Sequence, residues 1–464
     1  SRLRAAFAQA AAAKAAAPMP SRVPMTRRVQ SLSDSGPGSL RETLASAVDG
    51  DVIDLGDLRG RITLASSLTT SADVTINGPG RDLLTLDGAQ QGRVITSNGS
   101  LTLSDISITG GSGGGGIDGG SPTAGGCLFV QGNLQMTHAT ISGCSIGDAT
   151  TPAAYGGGVA VGGMIYAKYT TISNSTVTAN KLAIGGGLVA ANGGPLINST
   201  ISGNHVNQVL APADAPPSAS PQFVGGGGGV MVMGATAPLY LFKSDVSGNA
   251  VTAAGGTYLD PNNNQTSTEP GSAYGGGAAA LQPFVVASTI TGNTANANGI
   301  AYGGGIFLPP VPPPVMSTAG AAQPRMIPLV LGRAIPDGSS SPIFQYAAIS
   351  GNSATSTGSI AYGGGVLNMG TLSIVASAIN DNTTHGGTGS WSGGGGIMST
   401  NSSLLNIQSS TISGNAALSV AENGYAWAGG IGVWYSGQLQ MSNSTVSGNR
   451  TEAPSGAYSG GIAA

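Results

Sequence analysis

Two groups of side chains in this sequence have the types and spacing to do chemistry. Trp391, Trp427, Trp434 and Tyr435 crowd the C-terminal stretch. Flat rings with one polar edge offer broad stacking surface, and sugar rings are a natural partner for them. Asp49, Asp51 and Asp54 belong to the densest acidic group in the chain. Such carboxylates can gather around Ca2+, and Asp beside turns also serves backbone geometry. Nothing else in the sequence asks for a cofactor.

The acids and histidines of the sequence form no catalytic constellation. Glycoside hydrolysis needs two carboxylates some 5–10 Å apart, so roughly on one strand or on adjacent rungs of a stacked fold. From residue 106 onward the acids are scattered: Asp118, Asp148, Asp214, Asp245, Asp260, Glu269, Asp337, Asp381, Glu422 and Glu452, none of them sequence neighbours. His138, His205 and His385 are isolated from one another. No Gly-Lys-Ser/Thr follows the glycine runs. No residue is therefore assigned a catalytic role.

Charge narrows the partners further. Charged residues are 8% of the 464, with 17 basic and 20 acidic side chains, well below the usual quarter or so. Residues 1–105 hold 11 of those basic groups and 10 of the acidic ones. No basic stripe exists to neutralise phosphates, which argues against nucleic acid and against an anionic membrane surface. No apolar run reaches the ~20 residues a membrane span needs. Cys127 and Cys144 are the two cysteines. They read either as a disulfide formed in an oxidising compartment or as two small buried apolar side chains.

The elements that must position these residues are repeats. Ser-Thr-Ile-Ser-Gly-Asn occurs at residues 199–204 and again at 410–415, with variants ending at Cys144, Asn180, Asn249, Asn293, Asn352, Asn382 and Asn449. A second phrase, a run of glycines before a small or aliphatic residue, alternates with it. A period of a few dozen residues marks a solenoid or propeller. Unequal spacing excludes even propeller blades: the late steps are 33 and 34 residues, the earlier ones 45, 44 and 59. Ile between Thr and Ser predicts a short strand with one face inward, and Gly-Asn predicts a corner. Stacked asparagines should then ladder, and the glycine runs should mark a corner where no side chain fits.

The expected fold is all-β, a right-handed parallel β-helix with a short N-terminal helical cap. Ser39 to Glu42 has capping-box spacing, which places Leu40, Leu44 and Val48 on one face of a helix ending near Gly50. Residues 1–30 form an Ala-rich segment, read as a signal remnant, a helix or a linker. Residues 31–110 form the cap and first coils, including a strand over 101–108, and residues 111–464 the repeat β-helix. Insertions are expected at 209–222, 257–272 and 308–344. Aromatic residues precede many glycine runs, at Tyr155, Phe223, Tyr274, Tyr302, Tyr362, Trp391, Trp427 and Tyr458. Stacked coils would align them as a stripe, which either shields a corner or offers a platform for sugars. With no initiator Met and a last repeat cut short, the chain reads as a fragment or a processed product.

Residues 34–42, followed by 49–55, 74–80 and 84–88, resemble the N-terminal segment of bacterial surface proteins named for a Cys-Ser-Leu-Arg-Glu-Ala motif. Gly38 stands here in place of that Cys, and Thr43 in place of the Ala. The Ser-Gly-Asn and glycine-run phrases are similar to the paired repeats of polymorphic outer-membrane proteins and autotransporter passengers. Those proteins carry an aromatic residue where this chain has Ile or Val. The resemblance covers roughly residues 31–464. It implies an exported, adhesin-like β-helix on the outer surface of a bacterium or secreted from it, with extracellular glycans or surface proteins as partners. Two alternatives stand beside it: a polysaccharide lyase or glycoside hydrolase on the same scaffold, and a stalk or sheath subunit that self-associates end to end.

Overall fold

The structure, a computed structural model, describes residues 23–113, 123–211, 223–234, 237–259, 265–310, 341–387 and 391–464. It is a right-handed parallel β-helix with almost no other secondary structure. Among the described residues, the chain winds through five long parallel sheets of 10 to 13 short strands each. One full coil shows the order: Leu134–Thr137 in sheet 1, Thr140–Ser142 in sheet 2, Ser145–Ile146 in sheet 3, Ala153–Tyr155 in sheet 4 and Val159–Val161 in sheet 5. Sheets 3 and 4 begin only at Ser112–Gly113 and Thr123–Ala124, so the earlier coils have three strands. The segment 101–108 is two strands, Leu101–Ser104 and Ser107–Thr109, split at a corner.

Alternation decides the core. In eight successive strands of sheet 2 the middle residue, Ile141, Ile172, Ile201, Val246, Ile290, Ile349, Ile379 and Ile412, is at most 1% exposed, and in the strand that follows them, Thr445–Ser447, Val446 is partly buried. Each such burial is worth about 1.5–3 kcal/mol. Residues from sheets 1, 2 and 5 share one large core, while sheets 3 and 4 enclose a smaller, alanine-rich one. Sheet 5 is buried on both faces. Leu128 and Val130 point into the main core, whereas Phe129 packs with Tyr155 of sheet 4 on the other side. The corner between sheets 4 and 5 is thus re-entrant, and outward side chains of both sheets fill it.

Each corner has its own chemistry. Between sheets 2 and 3 stands the asparagine ladder: Asn204, Asn249, Asn293, Asn352, Asn382, Asn415 and Asn449 are joined by Nδ2–Oδ1 hydrogen bonds of 2.9–3.0 Å. Each Nδ2 also donates to a carbonyl one coil back, as Asn204 does to Ile172. All but Asn449 are buried with their bonding satisfied, which removes the penalty of burying them. Asn180 does not belong to the ladder. The matching strand is Thr171–Ser173, after which Asn174 takes the left-handed position (φ 51°) and Ser175 the ladder position. Thr176–Ala179 is the next strand, in sheet 3, and Asn180 follows it.

The Ser that opens the phrase has a role the sequence did not suggest. At the corner between sheets 1 and 2, Ser199, Ser244, Ser288, Ser377 and Ser410 each lend Oγ to a backbone N–H of the preceding coil. The residue just before this position, which Thr170 and Ala347 fill in two coils, is left-handed on coil after coil, at Tyr169, Asn198, Lys243, Ala287, Tyr346, Ala376 and Ser409. At the sheet 4 to sheet 5 corner the glycine runs leave no room for side chains. A Cβ on Gly276 would lie 2.3 Å from the Gly304 carbonyl oxygen and 2.5 Å from that of Thr294.

The N-terminal helix is Leu40–Ala45, with Leu40 and Leu44 buried. It is shorter than expected: Val48 lies beyond its end and is only half-buried. Ser39 Oγ accepts from Glu42 N–H, and Glu42 reaches back to Gly38 N–H rather than to Ser39. Arg41 ties the helix to the first coil through Asp34 and the carbonyls of Ser66 and Ser67. The insertions at 209–222 and 257–272 join sheets 3 and 4, and that at 308–344 joins sheets 5 and 1. Residues 1–22, 212–222, 260–264 and 311–340 lie outside the described residues. Among the described residues no helix is long and apolar enough to cross a membrane.

Candidate functional site

Trp391, Trp427, Trp434 and Tyr435 come from three different strands and turns, and they meet. Trp434 follows the sheet 5 strand Ile431–Val433. Its ring lies 6.0 Å from Trp391, 5.9 Å from Trp427 and 4.7 Å from Tyr435, centroid to centroid. Trp391 stacks in turn on Tyr425 at 5.0 Å. Trp434 also meets Tyr362 edge-on at 6.0 Å, and Tyr302, Tyr274 and Phe307 continue the run. All these separations fall in the range where aromatic pairs attract, at about 0.5–1.5 kcal/mol each. The result is a belt along the re-entrant corner between sheets 4 and 5.

The belt is not the simple stripe that the glycine runs suggested. Tyr274, Tyr302, Tyr362, Trp427 and Tyr458 do share one column of sheet 4, but Gly393 holds that column's place beside Tyr362 and Trp427. Trp391 stands two residues earlier, in register with Ile360 and Tyr425. Phe223 precedes the strand Val224–Gly226 and packs on Gly256, where a Cβ would sit 2.3 Å from its ring. Another missing side chain seats Trp427: a Cβ on Gly432 would fall 2.7 Å from its ring.

Exposure separates filler from surface. Tyr155 and Tyr362 are buried in the corner, whereas Trp391, Tyr458 and Tyr435 are 41%, 52% and 63% exposed. Burial among neighbouring phenols, including Tyr274 and Tyr435, pushes Tyr302 up to about 12, and burial raises Tyr362 as well. These phenols stay neutral at any ordinary pH. The turn that carries Tyr435 is unusual. Tyr435 and Ser436 are both left-handed (φ 49° and 60°), and the equivalent turn one coil earlier places Asn401 and Ser402 there. Asn tolerates that conformation, and a bulky ring does so at a cost of about 1 kcal/mol.

The acidic group resolves into separate duties. Asp51 is fully buried, paired with Arg27 at 2.5 Å, and accepts from the N–H groups of Met25 and Val48. Loss of water alone would raise it, but those two N–H groups and the guanidinium more than offset this and hold it below the usual carboxylate range. Asp49 accepts from Asp73 N–H, and Asp54 from Gly56 N–H. Among the described residues no three His, Cys, Asp or Glu side chains form a group that could hold a metal ion.

Cys127 and Cys144 are bonded to each other, and Cys144 occupies the ladder position in its coil. Asp245 accepts from Ser247 and Thr289, and Asp148 caps the turn at Thr150 and Thr151, which holds it below the usual carboxylate range. A shallow cleft of about 290 Å3 beside Lys243 and Asp245 is small for a ligand site. Compared with protein-family models and with curated proteins, the chain matches none.

Proposed function

We propose that this chain is a non-catalytic, adhesin-like β-helix of the bacterial surface or its surroundings, which binds extracellular polymers along its flank. The reading keeps the resemblance to the Cys-Ser-Leu-Arg-Glu-Ala-motif and polymorphic outer-membrane repeat group. The observation that carries it is the convergence of Trp391, Trp427 and Tyr435 on Trp434, with an exposed rim of rings beside a buried base. Exposed aromatics with a polar surround are what an extended binding surface uses for anchoring. The disulfide supports passage through an oxidising compartment.

Purified chain would be passed over immobilised neutral and anionic polysaccharides, scoring retention and release of reducing ends together. Retention without cleavage is the expected result. Cleavage would replace this reading with that of a polysaccharide-degrading enzyme, and absence of retention on every polymer would refute polymer binding.

A further inference from the structure

The surroundings of the belt point to the kind of polymer. From residue 391 to 464 the chain has three formally charged side chains, Glu422, Arg450 and Glu452. Arg450 and Glu452 pair with each other at 2.9 Å on sheet 3, not on the sheets that carry the belt. His385, the nearest imidazole on that sheet, is held below its usual range by burial and by Arg450, so it is neutral near pH 7. The exposed neighbours of Tyr435 are instead amides and hydroxyls: Asn401, Ser402, Ser436 and Gln438. The two turns are joined, because Ser402 N–H donates to the Tyr435 carbonyl at 2.9 Å.

A site for an anionic chain would need cations at its rim, and a site for a cationic chain would need carboxylates. Among the described residues this rim has neither, and it offers ring faces with neutral donors and acceptors. Tyr435 ends the near-parallel stack Tyr425, Trp391, Trp434, Tyr435, whose interplanar angles are 22°, 29° and 16°. Its outer side is the next stacking position. We propose that the ligand of the belt is an uncharged glycan, which lays a sugar ring on Tyr435 and hydrogen-bonds the side chains of the Asn401–Ser402 and Tyr435–Ser436 turns. This rests on the polymer-binding reading above and narrows it to a substrate class.

The test uses matched pairs of polymers, hydroxyethylcellulose against carboxymethylcellulose and dextran against dextran sulfate, with mannan and galactan added. The expected result is retention on at least one neutral polymer, with an affinity unchanged from roughly 50 to 500 mM NaCl. Tyr435→Asn, which installs the residue of the preceding coil, should weaken that binding at least about fivefold while the thermal melt stays in place. Retention on the charged members alone, or binding that salt abolishes, would overturn the uncharged class and leave polymer binding standing. Full binding by Tyr435→Asn would overturn the site. No retention on any polymer would remove the broader reading and this one with it.

Discussion

Replacing Asn293 with Ala would interrupt the asparagine ladder at its third rung, and the structure gives the expected cost. Asn293 Oδ1 accepts from both the backbone N–H and Nδ2 of Asn249, at 2.9 and 3.0 Å. Its own Nδ2 donates to Asn352 Oδ1 and to the Val246 carbonyl. In Asn293→Ala, Asn352 Oδ1 keeps the backbone N–H of residue 293 as a donor. Asn249 is worse placed: its buried N–H and one amide hydrogen lose their acceptor together. At about 1–3 kcal/mol for each buried unmet group, the loss is about 4 kcal/mol. Asn204→Ala strips a single N–H, that of Ser175, and should cost about half as much. Asn423 is exposed, and its replacement should change little. A stacked array need not unfold in one step, so the assay is hydrogen exchange read by mass spectrometry on peptides spanning residues 246–252 and 290–296, with the urea midpoint beside it. Unchanged protection at Asn249, or a cost for Asn293→Ala no greater than for Asn423→Ala, would refute the reasoning.

Three further outcomes are expected. Asp51 titrates below its unfolded value of about 3.9, so its contribution is complete above that pH and is lost as pH falls through the folded value. Asp51→Asn should flatten the acid limb of a stability-against-pH curve and cost roughly 3 kcal/mol, because Arg27 stays largely buried without its carboxylate. Gly276→Ala should be severely destabilising, by about 3 kcal/mol or more. Gly248→Asn, where a Cβ meets nothing within 4 Å, should cost under about 1 kcal/mol, both read by thermal melting. Reduction of Cys127–Cys144, verified by alkylation and intact mass, should lower the stability of the early coils by about 3 kcal/mol for a 17-residue separation.

Corner chemistry explains which parts of the fold were legible in the sequence. Gly203-Asn204 and the glycine runs stand where the backbone turns left-handed or where backbones pass too close for a Cβ, and few residue types satisfy either demand. The Asn180 assignment failed because Ser-Thr-Val-Thr-Ala-Asn copies the phrase while sitting one strand too late; Asn174 had taken the place of the usual Gly. The left-handed column at the first corner left no trace, since Tyr169, Lys243, Ala287 and Ser409 have no chemistry in common. Its marker was the Ser that follows, whose bond to the preceding coil is visible only once coils are stacked. The site was half legible. Aromatic crowding picked out four residues whose rings the fold brings together, but their meeting at Trp434 depends on Gly393 and Gly432 standing aside in two different sheets.

The ladder has a consequence for how such a chain can change. Between successive asparagines the sequence separation runs 45, 44, 59, 30, 33 and 34 residues, yet the bonds that join them differ by no more than 0.1 Å. Distance travelled along the chain is therefore invisible to the rung above, which receives only the identity of the side chain at the corner. A segment inserted between corners can grow, shrink or change composition without its neighbours registering it, whereas one substitution at a corner is felt on the adjacent coil. The molecule keeps its place as a text keeps its lines, by what stands at the margin and not by how many words lie between.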